Sequence, residues 1–132
     1  MSFSPYQAYQ QNTVTTAAPG ELTLMLYNGC LKFINKGREG ISGRNIEMKN
    51  TNLIKAQAIV QELIVTLDQG QPVADMMLPL YDYINRRLME ANVQSDAAIL
   101  DEVEGLVTEF RDTWKQVIQS NRVKQHAARG GA

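Results

Sequence analysis

Few residues in this chain could perform chemistry, and their spacing does not assemble a catalytic site. His126 is the only histidine among 132 residues and lies in a short basic tail, so a catalytic triad or an imidazole base has little to work with. A di-metal site in a helical bundle uses inward-facing Glu residues and Glu-x-x-His pairs. The chain has no Glu-x-x-His sequence, and we expect Glu90, Glu102 and Glu109 on solvated faces.

Motifs for a cofactor are also missing from the sequence. Gly37, Gly40 and Gly43 do not form a phosphate-binding loop, because no strand pattern precedes them and no Lys-Ser/Thr follows. Cys30 is the only cysteine, which excludes an internal disulfide, and its place in an apolar stretch favours a packing role over a reactive one. We therefore expect no enzyme activity, no metal and no cofactor.

The composition narrows the partners and the compartment. Thirteen basic and fourteen acidic residues give a net charge of −1, so neither nucleic acid nor an anionic membrane is indicated as the main partner. No apolar run approaches the roughly 20 residues of a membrane-spanning helix. The N-terminus lacks the basic and apolar regions of a secretory signal. The sequence predicts a cytoplasmic protein without a membrane span.

The elements that would position a binding site are organised around the stretch from Pro19 to Ile34. Proline suits the first turn of a helix, and an acidic residue follows it at the positive end of the helix dipole. One apolar stripe at helical spacing contains Leu22, Met25, Leu26, Gly29 and Phe33, and a second contains Leu24, Tyr27, Leu31 and Ile34. A helix that is apolar on two sides must be covered on two sides. We expect the core on one side and a removable cover or a partner on the other.

Three further helices follow this first one in the predicted fold. The first helix should end near Gly37, before a glycine-rich loop. The other helices are expected at about residues 44–68, 73–92 and 95–122. Pro79 either starts or kinks the third of the four helices. Because short loops join the helices, neighbours should be antiparallel. The predicted fold class is all-α: an antiparallel up-down-up-down four-helix bundle with an N-terminal arm.

The two ends of the chain have a different composition from the predicted bundle, which spans residues 19–123. Residues 124–132 are basic and glycine-rich, and we expect a mobile tail. Residues 1–18 carry no charged side chain but contain Tyr6 and Tyr9, which one helical turn would place on the same side. This arm is either a frayed terminus or a lid whose rings cover apolar surface on the first helix. The lid is favoured, because that helix needs a cover.

Several side chains could belong either to the core or to a contact surface. Leu24, Tyr27 and Ile34 are equally consistent with both roles. Tyr81 and Tyr83 cannot both face inward on one helix, so one of them is a contact candidate. An exposed patch of several large apolar residues is typically used to bind an amphipathic partner helix in a groove.

Five motifs in the same order make the chain resemble the flagellar secretion chaperone family FliS over essentially its whole length. They are Tyr6-Gln-Ala-Tyr9; Ala18-Pro-Gly-Glu-Leu-Thr-Leu-Met-Leu-Tyr27; Asn52-Leu-Ile-Lys-Ala-Gln57 with Gln61-Glu-Leu63; Leu80-Tyr-Asp-Tyr83 with Leu88-Met-Glu-Ala-Asn92; and Glu102-Val-Glu104 with Phe110-Arg-Asp-Thr-Trp-Lys115. The likeness is greatest to members from Gram-positive bacilli.

The resemblance implies a cytosolic four-helix bundle that binds the C-terminal segment of flagellin, prevents its premature polymerisation and delivers it to the flagellar type III export apparatus. It makes the export gate and other flagellar regulatory proteins candidate partners. It gives the lid role to Tyr6 and Tyr9. Together with the chain's own pattern, it predicts a client-binding groove of Leu22, Leu24, Met25, Leu26, Tyr27, Ile34, Gln57 and Tyr83.

Two other hypotheses remain open at this point. The surplus apolar face could make a homodimer that acts as an interaction module without a client. A metal-dependent bundle enzyme is the third hypothesis, and the residue inventory gives it little support. For an export chaperone of this kind we expect a monomer or a weak dimer.

Overall fold

Four helices make up the fold of the computed structural model, which describes residues 20–67, 70 and 72–130, with side chains as far as residue 120. We number them α1 (Glu21–Ser42), α2 (Ile46–Thr66), α3 (Pro72–Gln94) and α4 (Ala97–Gly130). Each helix packs against the next in the chain, and α1 also packs against α4, which closes the ring. The predicted all-α, up-down-up-down bundle is confirmed, and its N-terminal arm lies outside the described residues.

The core runs along the inner faces of all four helices. Its buried members are Leu26, Tyr27, Cys30, Leu31, Ile34, Leu53, Ala56, Ile59, Val60, Leu63, Tyr81, Ile84, Leu88, Ala91, Ile99, Leu100, Val103 and Val107. Leu22, Phe33, Phe110 and Trp114 are partly buried against them. Both apolar stripes of α1 contribute to this cluster, because α1 is the helix that contacts both α2 and α4.

The sequence predicts that α1 ends near Gly37. In the structure α1 continues to Ser42. Gly37 and Gly40 are buried inside the helix, where α2 approaches closely. A Cβ atom on Gly40 would lie 2.5 Å from the backbone nitrogen of Lys49, and one on Gly37 would overlap the side chain of Leu53. These glycines therefore mark a close helix contact rather than a loop.

Both α1 and α3 end with the same hydrogen-bonded turn. In the first, Asn45 N–H donates to the Gly40 carbonyl at 2.8 Å, and Arg44 N–H donates to Ile41 at 3.2 Å. In the second, the N–H groups of residues 96 and 95 donate to the carbonyls of residues 91 and 92. This pattern is the Schellman motif, whose left-handed position is usually glycine. Here Arg44 (φ 54°) and Ser95 (φ 50°) occupy it, at a cost of about 1–2 kcal/mol each.

The start of α3 is close to the expected residue 73, whereas the end of α4 differs from expectation. The α3 helix begins at Pro72 and passes through Pro79, so the alternative in which Pro79 starts it is wrong. The α4 helix continues to Gly130 instead of ending near Arg122. The mobility of residues 124–132 remains a prediction. No helix in the described ranges is both long enough and apolar enough to cross a membrane.

Cys30 is completely buried in the core, in agreement with a packing role. Burial raises the pKa of its thiol to about 12, so the reactive thiolate is scarcely present at neutral pH. We expect the folded protein to react with Ellman's reagent only as fast as the bundle opens, and the rate to rise with urea in parallel with unfolding. A Cys30→Ser/Ser42→Cys variant, with its thiol at an exposed position, should react at once. Rapid labelling of Cys30 under native conditions would contradict this burial.

Candidate functional site

A mostly apolar groove opens at one end of the bundle, where the end of α2, the start of α3 and the middle of α4 meet above the start of α1. Its volume is about 550 Å³. It is lined by Thr23, Leu63, Thr66, Leu67, Val73, Met77, Tyr81, Glu109, Phe110, Thr113, Trp114 and Val117. Glu109 is the only charged residue in this lining. We call this site the end groove.

The first turns of α3 form the most exposed apolar surface beside the end groove. Val73, Met76 and Leu80 are spaced at i, i+3 and i+7, and are therefore on one side of the helix. Their exposed fractions are 54%, 72% and 40%. Each large apolar side chain left in water forgoes roughly 1.5–3 kcal/mol of burial. The surplus apolar surface that the sequence predicted for α1 lies here, on α3.

Three aromatic side chains form the floor of the end groove. The Tyr81 and Tyr27 hydroxyls are 2.5 Å apart and share one hydrogen bond. The Phe110 ring packs edge-on against Tyr81, with centroids 6.2 Å apart, and at a tilt against Tyr27. Burial raises the pKa of both phenols, and for Tyr81 the hydrogen bond to Tyr27 raises it further. The pair is therefore neutral, and the floor offers a bound segment a rigid, uncharged surface.

Trp114 joins the end groove to the start of α1. Its indole Nε1–H donates to the Gly20 carbonyl at 2.7 Å, and its side chain is half-buried. Gly20 adopts the left-handed region (φ 88°), with Ile118 and Trp114 against its backbone. This contact fixes the N-terminus of α1 at the rim of the groove.

A second cavity of about 500 Å³ lies on the other side of this contact, between the start of α1 and α4. We call it the side cleft. It is lined by Glu21, Leu24, Met25, Asn28, Lys115, Ile118 and Gln119. Leu24 and Met25 are half-buried there, and their part in a client-binding surface remains a prediction.

Some of the predicted groove residues belong to the interior instead. Leu26, Tyr27 and Ile34 are between 0% and 3% exposed and are part of the core. Their assignment to an open groove surface is corrected here: α2 and α4 cover that side of α1. Tyr27 keeps an indirect role, because it supports the Tyr81 hydroxyl beneath the end groove.

The other predicted residues are scattered. Leu22 is half-buried against the core, and Gln57 is half-buried on α2 and lines neither cavity. Of the two candidate tyrosines, Tyr81 faces inward. Tyr83 is half-buried and donates its hydroxyl to Glu102 at 2.8 Å, which ties α3 to α4 and raises the pKa of Tyr83. Tyr6 and Tyr9 lie outside the described residues.

Sequence reasoning missed most of the end groove. Val73, Met77 and Thr113 come from helices whose apolar stripes had been assigned to the core alone. A usable signal was present in α3, whose early residues are apolar on more than one side. The groove itself depends on how three helix segments meet, and no single stripe shows that.

Among the described residues, no group of three His, Cys, Asp or Glu side chains is placed to hold a metal ion. The end groove is therefore a mostly apolar depression with a neutral aromatic floor.

The family of this chain follows from comparison with known proteins. A family model described as "Flagellar protein FliS" matches residues 2–121. The chain belongs to the FliS family. All residues that line the end groove and the side cleft fall inside the FliS match.

Curated relatives in the FliS family support the same conclusion. The chain is 56% identical over 127 residues to the flagellar secretion chaperone FliS of Bacillus subtilis, covering 96% of each chain. It is 34% identical over 114 residues to the Salmonella typhimurium chaperone of the same name, covering 84% of each. The predicted likeness to FliS proteins of bacilli is confirmed.

A solved structure described as a flagellar chaperone from bacteria has a similar fold. Its TM-score is 0.73, and the match covers 87% of this chain and 95% of that one. At 21% sequence identity, this likeness concerns the helical bundle alone. It agrees with the four-helix FliS architecture described above.

Proposed function

We propose that this chain is a cytosolic, non-enzymatic export chaperone that binds the C-terminal segment of flagellin, keeps it from polymerising early and delivers it to the flagellar type III export apparatus. The proposal rests on membership of a family whose relatives are named flagellar secretion chaperones. The single structural observation that carries it is the end groove, a large and mostly apolar depression at one end of the bundle.

The end groove suits an amphipathic helix that is laid into it with its apolar side down. Three helix segments provide the walls, and Tyr81 with Phe110 provides the floor. Binding would remove the exposed side chains of Val73 and Val117 from water, which is the main driving force for helix-in-groove recognition. The side cleft beyond Trp114 would receive the continuation of the same client segment on Leu24 and Met25.

A fluorescence titration tests this proposal directly, because Trp114 is the only tryptophan in the chain and lines the end groove. A tryptophan-free peptide copy of the C-terminal segment of the cognate flagellin should shift the Trp114 emission to shorter wavelength in a saturable manner. A peptide of equal length from the N-terminal segment of the same flagellin is the control. Equal responses to both peptides would contradict the proposal.

Self-association is the competing use of the apolar surface. The exposed fractions of Met76 and Val73 on α3 are large enough for two copies to pack against each other. Sedimentation of the purified chain separates the two functions. A monomer or weak dimer that becomes a one-to-one complex with flagellin supports the chaperone, whereas a stable dimer with an occluded groove supports the alternative.

The arm of residues 1–18 is proposed as a lid that occupies part of the binding surface until the client displaces it. The support is its point of attachment, since Gly20 is held by Trp114 at the rim between the end groove and the side cleft. Tyr6 and Tyr9 are the residues proposed to cover apolar surface.

Deleting residues 1–17 should leave the bundle folded, increase the binding of an apolar dye and tighten client binding. The reason is that a tethered lid competes with the client at high effective concentration. Dye fluorescence, circular dichroism and the Trp114 titration measure the three effects. Replacing both Tyr6 and Tyr9 with Ser in the full-length chain should reproduce them. Unchanged dye binding in both variants would show that the arm is not a lid.

A further inference from the structure

The end of the bundle opposite the end groove contains a smaller pocket that the proposed function does not use. Its volume is about 240 Å³. It is lined by Gly40, Ile41, Arg44, Ile46, Lys49 and Ser95. These residues come from the two turns that join α1 to α2 and α3 to α4, so we call the site the turn pocket.

Lys49 is the unusual residue of the turn pocket. Lys49 is only 8% exposed, and its ammonium group donates a hydrogen bond to the Ser95 hydroxyl at 2.6 Å. No carboxylate among the described side chains forms an ion pair with it. A buried charge is normally paired, because taking an ion out of water is expensive. Two of the three donor positions of this ammonium remain for a ligand.

Arg44 places a second cation at the same pocket. It has no ion pair among the described residues, and it occupies a left-handed backbone position where glycine would be less strained. The N-termini of α2 and α4 lie at this end together with the C-termini of α1 and α3, so the helix dipoles oppose one another and the positive charge of the pocket comes from Lys49 and Arg44. Three acidic residues adjoin the lining in the sequence: Asp96 accepts a hydrogen bond from Ala98 N–H, and Glu39 and Glu47 are exposed.

The remaining walls of the turn pocket are apolar. Ile41 is half-buried and Ile46 is 67% exposed. An inorganic anion would use the two cations but leave the isoleucines in water. A carboxylate joined to a branched aliphatic group would use both parts of the site, and the volume suits a group of that size.

We infer that the turn pocket binds an aliphatic carboxylate, with its charged end at Lys49 and Arg44 and its apolar end against Ile41 and Ile46. The C-terminal residue of a peptide that ends in leucine has this chemistry, and so does a free branched-chain acid. The inference does not depend on the proposed function, because the turn pocket and the end groove lie at opposite ends of the bundle.

Nuclear magnetic resonance of the full-length protein tests the inference. Three probes are used: acetyl-Gly-Ser-Leu with a free carboxylate, the same peptide as its C-terminal amide, and 4-methylpentanoate. We expect the free-acid peptide to cause saturable shifts in the amide signals of residues 40–49 and 95–97. The amide should bind about ten-fold more weakly or worse, because it lacks the charge that the two cations recognise. Equal binding of acid and amide would overturn the inference.

The third probe identifies the source of the ligand. Binding of 4-methylpentanoate as tight as that of the peptide supports a free aliphatic acid, and tighter binding of the peptide supports a protein C-terminus. Inorganic phosphate is a fourth probe in the same titration. If phosphate shifts the same signals with higher affinity than either aliphatic acid, the pocket is a simple anion site and the inference is wrong.

Two variants separate binding from folding. Lys49→Met keeps the length of the side chain and removes an unpaired buried charge, while Arg44→Gly relieves the left-handed backbone. Both variants should retain or raise the melting temperature of the protein. Both should weaken the binding of the free-acid peptide by about ten-fold or more. Lys36→Met, at an exposed position on α1, is the control and should change neither quantity. Unchanged affinity in Lys49→Met would overturn the inference, and the Trp114 titration of the same variants reports separately on the end groove.

Discussion

Replacing Gly40 with alanine is expected to lower the free energy of unfolding by about 2–3 kcal/mol. The added Cβ would lie 2.5 Å from the backbone nitrogen of Lys49 and 2.8 Å from its Cα. Backbone atoms cannot move aside as the end of a side chain can, so α1 and α2 must separate along their whole contact. Urea unfolding followed by circular dichroism measures the loss. The melting temperature should fall by about 10 °C.

Gly105→Ala is the matched control for this variant. Gly105 lies in the exposed middle of α4, and a Cβ there meets nothing within 4 Å. The same substitution should therefore stabilise the bundle by about 1 kcal/mol through helix propensity alone. If both glycine variants change stability in the same direction, the close approach of α1 to α2 at Gly40 is not what holds these helices together.

The second large effect concerns client binding. Val73→Asp should weaken the binding of the flagellin C-terminal peptide by about 30–100-fold. The reason is that a carboxylate buried without a partner under an apolar segment costs about 2–3 kcal/mol of binding free energy. Val73 lines the end groove and is 54% exposed, so the free protein should keep its stability. The Trp114 titration measures the affinity.

Val93→Asp is the control on the same helix. Val93 is 79% exposed and lines neither the end groove nor the side cleft. The Val93→Asp substitution adds the same negative charge at the other end of α3, away from the end groove. Client binding should therefore not change. A comparable loss in both variants would indicate general electrostatic repulsion of the client, and would remove the end groove as the recognition surface.

The contrast between α1 and α3 explains why the binding surface was hard to foresee. The sequence showed correctly that α1 is apolar on two sides. Two neighbouring helices supply two covers, so Tyr27 and Ile34 became core. On α3 the same kind of excess stays exposed at Val73 and Met76, because none of the other three described helices covers the outer side of its first turns.

Glycine gave the most misleading local signal. The sequence predicts an end of α1 near Gly37 and a loop containing Gly40, since glycine commonly terminates helices. In the structure Gly37 and Gly40 allow α2 to approach, while Arg44 and Ser95 occupy the left-handed positions that glycine usually takes. The same residue type serves close packing and chain reversal, and only the position of the neighbouring helix distinguishes the two.

Four helices, their antiparallel order and, through five motifs in order, the FliS family were all predictable from the sequence. Those properties are carried by periodicity and by motif order, which are local or linear. Only the packing of the helices shows which apolar side chains are covered, where α2, α3 and α4 leave the end groove open, and that Lys49 and Ser95 meet at one pocket. These depend on distances between residues far apart in the chain, and a hydrophobic stripe states only that a side must be buried, not what will bury it.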